Sequence, residues 1–375
     1  MDLTVISTYR CNSRCAMCYI WKHPTLPDEE VSIATLAQLP GGFDNLNVSG
    51  GEPTLRKDLP ELIDALYPKA RIMEISSNGL HWQRLEPIIK KHPNVKVRFS
   101  LEGFEKTNNA IRGEDDGFNT KVAGLRRLKE LGGTDLGFAT VIQDDNVEEL
   151  AALYRFASVR GFELPTSALH NAFQFHKSDN IPYNRLRLAK QVEQLITAML
   201  RKNDVKTWFR AYLNLGLIRK ILGQDRLIPC TAATDFMFID PWADVYACNV
   251  RNDLLLGNLN RQSWAAILDS PKAAEMRAKV AACTQNCWMV TTARTAMRNP
   301  VIPQLPKLQP LRWVIANKLR VTLGRPINFN RDIDYNDVRT DTAVPQRTSY
   351  LGRTVKRLVQ HAAEPHYPQG PFFNR

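Results

Sequence analysis

The chain has 375 residues, 44% of them hydrophobic and 23% charged, and a net charge of +12. This composition fits a folded, water-facing protein, and no run of 18 apolar residues is present to span a membrane. The charge is uneven. Residues 301–375 hold 12 Lys and Arg against 5 Asp and Glu, leaving 38 against 33 in the first 300. A near-neutral body therefore carries a basic tail, suited to solubility or to contact with anionic lipid, nucleic acid or an acidic partner. Seven cysteines without a basic, apolar leader predict a reducing, cytoplasmic setting where thiolates bind metal rather than pair.

Strand-length apolar runs occur at 3–7, 46–49, 72–76, 95–101, 136–142 and 164–169. Helical patterns at 32–39, 57–67, 82–91, 118–131 and 147–160 separate them. Six strands alternating with helices predict a parallel sheet with right-handed crossovers, closing partway into a barrel. Residues 1–183 make this unit. Residues 184–225 read as a helical linker, and 226–295 as a small α+β domain with a hairpin turning at Asp240-Pro241-Trp242-Ala243-Asp244. Residues 296–375 read as a basic, partly disordered extension in which 311–323 forms a basic amphipathic helix. Such a helix suits peripheral membrane contact or packing on the barrel.

Chemistry-bearing residues fall after the strands, where barrels place function. Cys11, Cys15 and Cys18 follow the first in a C-x3-C-x2-C run. Three thiolates can hold three irons of a 4Fe–4S cluster and leave the fourth open. A zinc site is the competing reading, but zinc motifs add a second Cys or His pair close by, and only His23 lies near. Gly50-Gly51-Glu52-Pro53 follows the second strand, with glycines that permit close backbone approach and a carboxylate able to pair with a cation. Ser77-Asn78-Gly79 follows the third strand, and Ser100 and Glu102 flank Leu101 at the end of the fourth. Cys230, Cys248, Cys283 and Cys287 form a second set of four thiols, able to close a 4Fe–4S cluster or a zinc ion.

The C-x3-C-x2-C run, the GGEP element and the Ser-Asn-Gly turn together resemble the radical SAM superfamily. The second cysteine set resembles its SPASM or twitch domains, and the resemblance covers about residues 1–290. It implies that Cys11, Cys15 and Cys18 hold a 4Fe–4S cluster whose open iron binds S-adenosylmethionine, and that reductive cleavage yields a 5′-deoxyadenosyl radical that abstracts a substrate hydrogen. It implies cofactor contacts from Met17, standing where the family often has an aromatic residue, and Tyr19. Further contacts fall to Gly50, Gly51, Glu52, Pro53, Ser77, Asn78, Ser100, Glu102 and Arg112, the last as a partner for the methionine carboxylate. The four later cysteines imply one auxiliary 4Fe–4S cluster as electron acceptor. Three plus four uses every cysteine, which leaves no thiol as a hydrogen donor to a substrate radical.

His170 and His176, after the sixth strand, are candidate proton acceptors. The expected reaction is oxidation or rearrangement of a small, sugar or lipid-linked substrate, with a flavodoxin- or ferredoxin-type reductant. The alternatives are ribosomal-peptide maturation by crosslinking or epimerisation and, in another class, a zinc-bound nucleic-acid-binding protein.

Overall fold

The structure, a computed structural model, describes residues 1–298 and 309–339. Six parallel strands and their crossovers come first: β1 Asp2–Ile6, β2 Phe43–Ser49, β3 Ala70–Ser77, β4 Lys96–Ser100, β5 Leu136–Ile142 and β6 Thr166–Ala168. They lie in the order β6-β5-β4-β3-β2-β1, so each new strand adds to the same edge, as right-handed crossovers require. The helices are α1 Ile33–Ala37, α2 Leu59–Leu66, α3 Glu86–Lys91, α4 Glu105–Arg112, α5 Gly117–Glu130 and α6 Leu150–Val159. This is the expected partial (β/α)6 barrel.

One face of the strands is apolar and packs under the helices. Leu3, Val5, Leu46, Val48, Met73, Ile75, Val97 and Phe99 are all buried. The alternate positions are polar or small: Asn45, Asn47 and Ser49 on β2, Glu74 and Ser76 on β3, Lys96, Arg98 and Ser100 on β4. A period-two pattern with polar residues inward leaves a bore that a ligand can enter.

The helical stretch 184–223 is two helices, α7 Arg185–Arg201 and α8 Val205–Ile221. They do not act as a tether. α8 packs on β6, and Thr166 Oγ1 on that strand donates to Asn214 Oδ1 at 2.9 Å. They therefore wall the open side of the barrel, which the sequence reading as a linker missed.

The later segment joins the same sheet. β7 Phe236–Ile239 pairs in parallel with β1, and β8 Asp244–Tyr246 and β9 Leu255–Asn258 continue antiparallel. Nine strands thus share one sheet among the described residues. α9 Trp264–Leu268, α10 Pro271–Ala281 and α11 Val290–Arg298 follow.

In the extension, α12 Gln309–Thr322 packs Trp313, Val314 and Asn317 against α7 and α8 and exposes Leu311, Ile315 and Leu319. Residues 325–339 pass back over α8, where Arg339 N–H donates to Leu222 O at 2.8 Å. Within the extension expected to be partly disordered, residues 325–339 are ordered against α8, and residues 340–375 lie outside the described residues. No helix among the described residues is long and apolar enough to cross a membrane.

Candidate active site

A cavity of about 270 Å³ opens at the C-terminal ends of the strands. Cys11, Cys15 and Cys18 line it together with Met17, Gly50, Gly51, Ser77, Asn78, Ser100, Glu102, Arg112 and His170. Of the residues assigned to cofactor or proton transfer, Tyr19, Glu52, Pro53 and His176 do not line it.

The cysteine loop is held from three sides. Asn78 Nδ2 donates to Asn12 Oδ1 at 2.6 Å and to Ser13 Oγ at 2.9 Å. Ser13 Oγ–H in turn donates to Glu114 Oε1 at 2.7 Å, and Arg14 and Ala16 N–H groups donate to the Arg112 and Ile111 carbonyls. The glycines permit a close backbone approach within the chain itself. A β-carbon on Gly50 would stand 2.6 Å from Thr8 O, and one on Gly51 2.3 Å from Arg10 O. Their lack of a side chain lets the second loop press against the first, where Gly51 N–H donates to Thr8 O and Glu52 N–H to Arg10 O.

Glu52 is fully buried. Its Oε1 accepts from Thr54 N–H, Thr54 Oγ1 and Ser77 Oγ, and its Oε2 from Asn78 N–H. It ties the second turn to the third, and within these contacts it pairs with no cation. Tyr19 lies outside the cavity, with Lys22 Nζ 3.9 Å from its ring centroid. Met17 keeps the cavity position, with Gln143 Nε2 3.6 Å from its sulfur.

Arg112 lines the cavity already paired, donating to Glu102 Oε1 at 2.9 Å and Glu114 Oε1 at 3.2 Å. Burial works against its charge, but Cys15, Glu102 and Glu114 outweigh this and raise its affinity for the proton. Glu114 also pairs with the fully buried Lys121, whose pKa falls to about 8, chiefly from burial. Sequence reading missed Glu114 and Lys121; Glu114 stands two residues past Arg112, the one signal available. Burial pushes the Cys11 and Cys18 thiols up to about 12, and raises Cys15 as well.

His170 Nδ1 lies 3.0 Å from Ala168 O. That contact sets the Nδ1–H tautomer and makes Nε2 the basic nitrogen. His176 instead stacks on His23, centroids 4.1 Å apart, and burial with this neighbour lowers its pKa to about 3.

In the second cysteine set, donors aim at sulfur. Arg226 reaches Cys287 Sγ at 3.6 Å, Arg251 reaches Cys283 Sγ at 3.5 Å, and Val250 N–H reaches Cys248 Sγ at 3.3 Å. Neutral thiols are weak acceptors, so charged donors on two of them suit metal-bound thiolates. Three cysteines in a ligand-sized cavity, and four of which two lie under guanidinium donors, fit 4Fe–4S clusters.

Fold and site together define a partial-barrel protein in which Cys11, Cys15 and Cys18 would hold a 4Fe–4S cluster at the wall of a ligand-sized cavity. The radical SAM superfamily profile matches residues 5–157, and the SPASM profile, an iron–sulfur cluster-binding domain, matches 230–288. The chain belongs to the radical SAM superfamily and carries a SPASM domain, and its cofactors are S-adenosylmethionine and 4Fe–4S clusters.

It is 27% identical over 269 residues to the mycofactocin maturase of Mycolicibacterium smegmatis, covering 68% of this chain and 67% of that one. It is 28% identical over 156 residues to the sporulation killing factor maturation protein of Bacillus subtilis. It is 33% identical over 157 residues to the Fe-coproporphyrin III synthase of Methanosarcina barkeri. These last two matches cover 40% and 39% of this chain, and the chain spans 38% of each relative's length. Its fold matches Streptococcus suis SuiB bound to S-adenosylmethionine, with TM-score 0.54, 16% identity and 74% and 67% of the two chains covered. It also matches anSMEcpe bound to AdoMet and a peptide, with TM-score 0.54, 16% identity and 89% and 99% covered.

Proposed function

We propose that this chain is a peptide maturase, abstracting a hydrogen from a ribosomally made peptide and leaving a crosslinked or epimerised product. The observation that carries this reading is the match to mycofactocin maturase, which runs well beyond the 5–157 segment common to the superfamily. It moves the balance away from the small or lipid-linked substrate expected from sequence and toward the peptide alternative.

Bound by these residues, S-adenosylmethionine and the 4Fe–4S clusters supply a hydrogen-abstracting radical and an electron acceptor, fed by a flavodoxin- or ferredoxin-type reductant. The protein's own part is positioning. Asn78 and Ser13 hold the cysteine loop, while Glu102 and Glu114 fix the Arg112 guanidinium at the cavity wall. His170, with Nε2 basic, accepts the proton released when an oxidised product forms.

Co-expression with a short peptide encoded beside this gene tests the reading. Loss of two hydrogens from the peptide, or deuterium incorporation at one α-carbon from heavy water, is expected. An unmodified peptide alongside turnover of a small metabolite would overturn it.

A further inference from the structure

A second cavity, of about 400 Å³, lies below the first. The two share Pro165, Thr166 and Val290 in their walls, so the lower cavity adjoins the cofactor cavity on the side closed by α8 and α11. Its position follows from strand parity. Glu74 and Arg98 line the lower cavity, while Ser76 and Ser100, two residues further along the same strands, line the upper. Two residues of strand rise about 7 Å.

The lower cavity carries six cations: Lys96, Arg98, Lys206, Arg210, Arg294 and Arg298. The carboxylates paired with them are Glu74, Asp135, Glu163 and Asp2. Among these ion pairs six cations meet four carboxylates. The cations grade inward, from Lys206 at 48% and Arg298 at 40% side-chain exposure, through Arg210 at 22%, to Arg98 at 3%. Between them the wall is apolar, from Leu164, Met199, Phe209, Leu213 and Met297. A graded cationic path with apolar walls attracts and then desolvates an anion attached to an apolar chain.

We infer that this lower cavity is a substrate vestibule that binds an anionic group on the substrate, one apolar segment away from the reacting carbon. The inference rests on the peptide-maturase reading above and adds the chemistry of the group that enters. On a peptide substrate the anion is a carboxylate.

The test is calorimetric titration of the reconstituted full-length protein, with S-adenosylmethionine present, using octanoate, octyl phosphate, octanol and octylamine. Both anions are expected to bind about tenfold tighter than octanol, with octylamine weakest. Charge reversal at the exposed rim, Lys206→Glu with Arg298→Glu, is expected to cut anion affinity about tenfold and leave octanol within about twofold. Raising the salt is expected to weaken the two anions alone. This salt arm needs no variant to fold. Octanoate ahead of octyl phosphate indicates a peptide carboxylate, and the reverse order a phosphate-bearing substrate. Octanol binding as tightly as the anions, or anion affinity unmoved by both rim reversal and salt, would overturn the vestibule. S-adenosylmethionine cleavage by the wild-type protein is scored separately, so the vestibule can fail while the enzyme reading stands.

Discussion

Gly51 shows how a motif can be legible while its physical reason is not. The GGEP run is visible as text, and sequence reading gave its glycines a role toward the ligand. The structure adds a role toward the chain, because the surface that Gly51 must clear is the Arg10 carbonyl, 41 residues earlier. Gly51→Ala is therefore expected to displace the cysteine loop, lowering iron from about eight to about four per chain while the auxiliary cluster persists. Iron retained near eight would contradict the contact. At the auxiliary site the guanidinium donors on Cys283 and Cys287 stabilise the more negative, reduced state. Replacing Arg226 and Arg251 with Gln is expected to lower that cluster's midpoint potential by on the order of 50 mV in an anaerobic redox titration. His176 has a folded-state pKa near 3 against 6.5 unfolded. The unfolded chain thus takes up a proton that the folded one does not, and stability present above pH 6.5 is lost as pH falls toward 3. His23 stacks against it and Tyr9 packs edge-on. His176→Asn keeps a residue that tolerates the positive φ of 51°. It is expected to melt with a shallower pH dependence between 6.5 and 4.5 than the wild type, and equal slopes would contradict the assignment.

Elements were legible where periodicity is local. The six strands and most crossover helices follow from alternation and 3.6-residue spacing. α4 was missed, because its sequence, EKTNNAIR, has only the adjacent Ala110 and Ile111 as apolar positions and so shows no 3.6-residue periodicity. α7 and α8 were legible as helical but not as a wall, since that depends on which surface the barrel leaves open. Gly216 on α8 makes the point. A β-carbon there would stand 1.9 Å from the ring of Trp288, which is fully buried, donates to Leu213 O at 2.7 Å and directly follows Cys287. A mid-helix glycine costs about 1 kcal/mol in propensity, offset here by seating the tryptophan that anchors the second cysteine set. Gly216→Ala is expected to destabilise the fold by about 2–3 kcal/mol in denaturant melts. A neutral result would show that Trp288 has room to move.

The whole molecule is one sheet carrying two cysteine sets, with β7 docked on β1 joining them. The sequence separated these sets into two domains by composition. Their continuity depends on an edge pairing between residues more than 230 apart, which no local pattern announces. The polar bore also follows from the assembled strands, because single inward residues such as Glu74 and Arg98 read individually as surface charges. The central claim is that one cysteine set serves an open, cofactor-binding cluster and the other a closed one. Anaerobic iron and sulfide quantification, with electron paramagnetic resonance of the reduced protein with and without S-adenosylmethionine, tests it most directly. The account predicts about eight irons per chain and two signals, one of which shifts when the cofactor is added. About four irons, or two signals that both ignore the cofactor, would contradict it.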